Sequence, residues 1–404
     1  MMEKTPSGLR AHIGFLGRTN AGKSALVNAL AGIEASLVSP QPGTTTDPVR
    51  IPMEFPDLGA VTLLDTAGLL DDTPLGTLRE ERTRQALREL DLAVMLLTSA
   101  DWAKEGEMVQ LLQKENIPCL FVVPQMDLRS PAPLLAKIRA EFHAEAVPVS
   151  IYDPASLAAL RERIREFLRP EERWITKGIA SADDLVVLVM PQDASAPKGR
   201  LILPQVQTLR ELLDRGIPAL CVTPQTLIKT LEALREPPEV IITDSQCFNQ
   251  VAPLVPSGTK LTSFSILFAS YKGDAQELAR GARILATLKE SSRVLIAEAC
   301  THAPKEEDIG TVKIPALLRQ RIGSGLTIDH VRGSQWPHPL EDYDLIIQCG
   351  SCMFNRAHVL HRIQEARRAK VPITNYGMAL AYLTGILDRV DLGEGTVPLP
   401  DEKA

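Results

Sequence analysis

No stretch of the 404-residue sequence stays apolar for the length that a bilayer crossing needs, and the start Met1-Met2-Glu3-Lys4-Thr5-Pro6 lacks the basic-then-apolar layout of a secretory leader. A cytoplasmic location is the expectation, without a membrane partner. A positive balance is missing too: the formal net charge of -6 gives no overall pull toward nucleic acid, so none is expected as a partner. Cysteine is sparse. Six in a cytosolic chain argue against a disulfide framework and leave metal binding or plain burial. Cys119, Cys221 and Cys247 stand alone, the first two in apolar strand-like runs, whereas Cys300, Cys349 and Cys352 sit in polar turns with Gly, Ser and His.

What is present is a globular composition, 45% hydrophobic and 23% charged, in a chain long enough for several cores. Alternating strand and helix patterns predict three consecutive α/β domains, over residues 1–172, 178–263 and 264–404. The first carries the clearest motif. Gly17-Arg18-Thr19-Asn20-Ala21-Gly22-Lys23-Ser24 fits G-x-x-x-x-G-K-[ST] without a mismatch, after the apolar run His12–Leu16 and before helical spacing from Ser24 to Ala31. That order makes a P-loop at the head of a doubly wound, mostly parallel sheet. Backbone N–H groups from Gly17 to Ala25 and the positive end of the helix surround the phosphates, Lys23 reaches the β/γ oxygens, and the Ser24 hydroxyl binds Mg²⁺.

A breaker-rich loop, Val38 to Asp47, separates this helix from a strand Val61–Leu64 that runs into Asp65-Thr66-Ala67-Gly68. P-loop plus D-T-A-G resembles the translation-factor class of GTPases. The resemblance implies that Asp65 supports Mg²⁺, that the Gly68 N–H senses the γ-phosphate, and that a threonine of the preceding loop, Thr45 among Thr44 to Thr46, completes the Mg²⁺ shell. Leu69 stands where Ras-like enzymes carry a water-orienting glutamine, so slow or differently organised hydrolysis is expected. Asn20, with the G-T-T segment, points to K⁺ in place of an arginine finger; the other account of Asn20 is a turn-stabilising side chain. The guanine-reading N-K-x-D is replaced by Pro124-Gln125-Met126-Asp127, which leaves Asp127 to read the base edge, and Val149-Ser150 occupies the place of the last base-contacting loop.

The second domain shows no phosphate loop, paired acids or His/Ser constellation, and is read as a structural or dimer-forming unit whose exposed sheet edge offers a pairing surface. In the third, two predicted strands, Arg293–Ala297 and Tyr343–Ile347, run into Cys300-Thr301-His302 and Cys349-Gly350-Ser351-Cys352. Ligands of open α/β sheets sit at the carboxyl ends of strands. The two groups, forty-nine positions apart from first cysteine to second, converge if these strands are neighbours. Three thiolates and an imidazole suit zinc as well as iron and sulfur. Arg356, His358, His361, Arg367 and Arg368 follow on a helix, as a positive approach to the site or as a solvated face.

The runs Cys300 to Pro315, Cys349 to Met353 and Pro372 to Ala379, with the P-loop, are similar to the FeFe-hydrogenase maturation GTPase (HydF) family across essentially the whole chain. The resemblance implies a dimeric, GTP-hydrolysing scaffold that binds a 4Fe-4S cluster, receives a diiron precursor from two radical-SAM maturases and delivers it to apo FeFe-hydrogenase. Cys300, Cys349 and Cys352 match the cysteine ligands and His302 the histidine of C-x-H, as ligand or as hydrogen-bond donor to a sulfur. Gln348 stands where many members have a second histidine, so the fourth iron position falls to His302, Glu298 or an exchangeable water. The competing expectations are a GTPase acting on RNA or the ribosome with a structural zinc, and a plain iron-sulfur electron carrier.

Overall fold

The computed structural model describes residues 7–32, 49–55, 59–65, 86–168, 173–192, 201–299, 308–333, 336–337 and 339–393. They fall into two compact units, Met1–Glu171 and Glu172–Ala404. The expected α/β class holds in both.

The first unit is a six-stranded sheet in the order β2-β3-β1-β4-β5-β6. Its strands are β1 (Ala11–Leu16), β2 (Val49–Phe55), β3 (Gly59–Asp65), β4 (Leu92–Leu96), β5 (Cys119–Pro124) and β6 (Ala146–Val149). β4 is buried at every position, as a strand covered on both faces must be. Helices α1 (Lys23–Ala31), α2 (Ala103–Lys114), α3 (Ala132–Phe142) and α4 (Pro154–Phe167) complete it. Among the described residues only β2 runs antiparallel, on the edge beside β3. Pro52 lies inside it and argues against a strand in the sequence; an edge strand tolerates the missing donor.

The second unit holds two parallel four-stranded sheets. One has the order β10-β9-β7-β8, from β7 (Val186–Val189), β8 (Ala219–Val222), β9 (Val240–Thr243) and β10 (Lys260–Ser263), with helices α5 (Leu203–Asp214), α6 (Leu227–Ala233) and the short α7 (Phe248–Val251). The other has the order β12-β11-β13-β14, from β11 (Arg293–Glu298), β12 (Thr327–Arg332), β13 (Leu345–Gln348) and β14 (Ile373–Asn375). Its helices are α9 (Ala275–Arg283), α10 (Ile314–Ile322), α11 (Arg356–Arg368) and α12 (Tyr376–Leu383). Between the sheets runs α8 (Phe264–Lys272), capped by the Ser263 hydroxyl. Its residues Phe264, Leu267 and Phe268 pack with β7 and β9, while Ile266 and Ala269 join the core of the other sheet. This one helix, which the sequence pattern does not single out, fastens the two sheets together.

Candidate functional site

The P-loop connects β1 to α1, as its motif requires. Gly17 (φ 149°) and Gly22 (φ 90°) adopt backbone conformations that side chains disfavour, and a Cβ on Gly17 would meet the Leu96 carbonyl oxygen at 3.0 Å. Lys23 is 6% exposed, and its Nζ donates to the carbonyls of Gly17 (2.7 Å) and Arg18 (2.8 Å). The cation is thus folded back over the loop it serves. Ser24 Oγ donates to Asp65 Oδ2 at 2.5 Å, so the helix start and the end of β3 meet although 41 residues separate them. Asp65 is buried, and its Oδ1 has no hydrogen-bond partner among the described residues. An orphaned buried carboxylate oxygen beside a hydroxyl is a donor set that fits Mg²⁺. Ala21 is buried beneath the loop, while Asn20 and Ala25 are exposed. Asn20 has φ 63°, the left-handed conformation that asparagine tolerates, which accounts for the residue type through the turn alone. Thr45, Gly68 and Leu69 lie outside the described residues.

Beyond β5 the chain turns through Gln125, at φ 62°, and Met126 N–H bonds the Val149 carbonyl at 3.2 Å. That bond sets the Asp127 turn against the end of β6. Asp127 is exposed there, and buried Ser150 accepts the Tyr152 N–H on its hydroxyl at 3.2 Å.

In the second unit, β11 and β13 are adjacent and parallel, with Ala297 opposite Gln348. The convergence condition on the two cysteine groups is therefore met by the strands that lead into them. Cys300 and His302 lie outside the described residues, and among the described residues no three His, Cys, Asp or Glu side chains gather as a metal-binding group. Cys349 is half-buried; its Sγ accepts N–H groups from Ala299 (3.1 Å) and Ser351 (3.4 Å). Burial pushes this thiol up, and the two N–H groups oppose that shift. N–H groups aimed at sulfur favour a thiolate, so the Cys349 environment fits an iron or zinc ligand. Ser351 holds φ 51° and turns the chain back so that Cys352 follows, also half-buried.

Lys272 and Gly310 were not singled out in the sequence, and the partners of Glu298 were not legible there. Lys272, 2% exposed at the end of α8, donates from Nζ to the carbonyls of Ser351 (3.3 Å), Cys352 (3.2 Å) and Phe354 (2.7 Å). Burial brings its pKa down to about 8, against the pull of Cys352 and Cys349. Its one sequence signal is a lysine closing the largely apolar run Phe264–Tyr271. Glu298 accepts from Tyr376 Oη at 3.1 Å and pairs with Arg332 Nε at 3.2 Å, so both oxygens are engaged. Burial and Asp308 raise the pKa of its carboxyl. A Cβ on Gly310 would come within 2.0 Å of Tyr376 Oη and 2.2 Å of Glu298 Oε1. The expectation of a solvated basic face on α11 is corrected: His358, His361 and Arg362 are buried, with Arg362 lying 4.8 Å from the Trp336 and Phe354 ring centres. Arg367 and Arg368 are exposed. The helix is amphipathic, and its histidines face the core.

Comparison with known proteins matches three successive parts of the chain. The description 50S ribosome-binding GTPase matches residues 12–125, Hydrogen maturase F dimerization domain matches 175–273, and Hydrogen maturase F tetramerization domain matches 276–391. Among curated relatives, GTPase Der of Wolinella succinogenes is 33% identical over 189 residues, 44% of this chain and 40% of that one. The tRNA modification GTPase MnmE of a Synechococcus species is 35% identical over 148 residues, 36% of this chain and 30% of that one. The chain therefore spans less than half the length of these two relatives. Among solved structures, Era in complex with MgGDPNP and a segment of 16S ribosomal RNA matches with a TM-score of 0.33 and 20% identity, over 53% of this chain and 91% of that one. A probable GTP-binding protein engB matches with a TM-score of 0.31 and 23% identity, over 39% of this chain and 99% of that one.

Proposed function

The chain belongs to the hydrogen maturase F family, and from that premise we propose that it is a GTP-hydrolysing carrier for the active-site cluster of FeFe-hydrogenase. In this reading it binds a 4Fe-4S cluster on Cys300, Cys349 and Cys352, takes a diiron precursor from two radical-SAM maturases and hands it to apo FeFe-hydrogenase. The observation that carries it is the meeting of β11 and β13, where the Ala299 N–H points at Cys349 Sγ one residue before Cys300. When bound, the cluster supplies an iron position for the precursor. The fourth position falls to His302 or an exchangeable water more readily than to Glu298, which would have to give up Tyr376 or Arg332.

The P-loop unit times loading or partner release. Lys23 exchanges its loop carbonyls for phosphate oxygens, Ser24, Asp65 and Thr45 hold Mg²⁺, Gly68 reports the γ-phosphate, Asp127 reads the base, and Asn20 holds K⁺. Residues 1–172, 178–263 and 264–404 are assigned as GTPase, dimerisation and cluster domains. The edge strand β8, with Cys221, Leu213 and Ile228 exposed around it, supports pairing of two copies. An RNA-directed GTPase would account for residues 12–125 and leave 175–391 without a role.

Anaerobic activation of apo-hydrogenase with purified components tests the proposal. Cys349→Ser is expected to abolish activation through loss of the cluster, and Lys23→Ala to reduce activation with cluster content intact. Normal activation by Cys349→Ser would contradict the carrier role.

A further inference from the structure

The buried ammonium of Lys272 faces the backbone of the Cys349–Phe354 turn through three carbonyls, those of Ser351, Cys352 and Phe354. Those carbonyls belong to a turn that a non-glycine residue, Ser351, enters at φ 51°, a conformation that must be held from outside. Lys272 reaches it from α8, the helix that packs on both sheets. It ends α8, whose start is capped by Ser263 at the end of β10 and whose side chains pack into both cores, so the cation is held by the helix that joins the two sheets. A lysine is costly to bury without partners, and three carbonyl oxygens and the Phe268 ring 5.5 Å away stabilise its ammonium without neutralising its charge. The ionisable groups that attract it are the thiols of Cys352 and Cys349. A buried cation beside two thiols is the arrangement that an anionic, thiolate-bound cluster completes, and net charge near the sulfurs is one of the levers that set a cluster's potential.

We propose that Lys272 is a positioning residue for the iron-sulfur site: its ammonium pins the Cys349–Phe354 turn in the conformation that presents both cysteines, and its charge offsets that of the cluster. The inference rests on the reading that Cys349 and Cys352 ligate the cluster, and it adds to that reading a residue from the helix between the two sheets. Through α8 the dimer-forming sheet and the cysteine turn become one mechanical piece.

The test compares full-length wild type with Lys272→Met, Lys272→Gln and Lys272→Arg. Hydrogen exchange on the metal-free proteins reads the pinning: the Ser351–Phe354 amides of Lys272→Met should exchange at least about tenfold faster, with those of β11 unchanged. A redox titration after anaerobic reconstitution, followed by electron paramagnetic resonance, reads the charge. Loss of the cation should disfavour the reduced cluster by about tenfold, a fall of about 59 mV, in both neutral variants, and Lys272→Arg should restore the wild-type potential. The glutamine variant keeps a donor, so it guards against a methionine variant that fails to fold. Wild-type exchange and wild-type potential in the neutral variants would overturn the inference while leaving the cluster reading intact. A wild type that takes up no iron would overturn the cluster reading and the charge role with it.

Discussion

The nucleotide site and the cysteine site are built in opposite ways. The P-loop is eight consecutive residues whose geometry is fixed by two glycines and the start of one helix, and its lysine folds back on carbonyls five and six residues away. The cysteine site draws on β11, the turn after β13, the end of α8 and the start of α12, and Lys272 bridges about 80 residues to reach it. A local site survives changes elsewhere in the fold, whereas an assembled site inherits the tolerance of each contact that brings its parts together. That difference suits the proposed division of labour between a timer built around one short loop and a receptacle whose shape depends on its surroundings.

If the two sites are separable, each can be lost without the other. Cys349→Ser should bring iron content to baseline while GTP hydrolysis per chain stays at the wild-type rate, measured by iron analysis and phosphate release. Loss of both would break the separation. Lys23→Ala should cut hydrolysis about 10²- to 10³-fold, because a preorganised cation at the developing phosphate charge is removed, and should leave iron content unchanged. Exchanging K⁺ for Na⁺ should slow hydrolysis to a smaller extent than the lysine change. Equal rates in the two salts would return Asn20 to the turn-stabilising role that its φ of 63° already explains.

The smallest effect sharpens the contrast in tolerance. Gly281 on α9 lies so close to β14 that a Cβ would stand 1.9 Å from the Ile373 carbonyl oxygen. Backbone cannot swing aside as a side chain can, so Gly281→Ala should cost about 1–3 kcal/mol by overpacking. Its thermal unfolding should shift down by several degrees, with hydrolysis at moderate temperature unaffected.

Legibility in the sequence follows the same divide. Gly17 to Ser24 could be read because local spacing carries its geometry, and Asp65 because it opens the D-T-A-G motif; Ser24 and Asp65 do meet. The strands ahead of the two cysteine groups could be read as well, from apolar runs ending in Cys-bearing turns. What could not be read depends on tertiary contact. Lys272 appears as one lysine at the end of an apolar run, and nothing in that run names the turn it touches. Gly310 is informative only once Tyr376 and Glu298 are in place around it. His358 and His361 look like a polar face because histidine is polar; packing of α11 decides that they are inside. Edge strand β2 was hidden by Pro52, and α8 by serving two cores at once.

The central claim, that this GTPase chain carries an iron-sulfur cluster on its third sheet, is tested most directly by anaerobic reconstitution of the full-length protein followed by iron, sulfide and zinc analysis and absorption spectroscopy. The account predicts iron and sulfide in equal amounts, with thiolate-to-iron charge-transfer absorption that disappears in Cys349→Ser. A colourless protein holding one tight zinc per chain would contradict it.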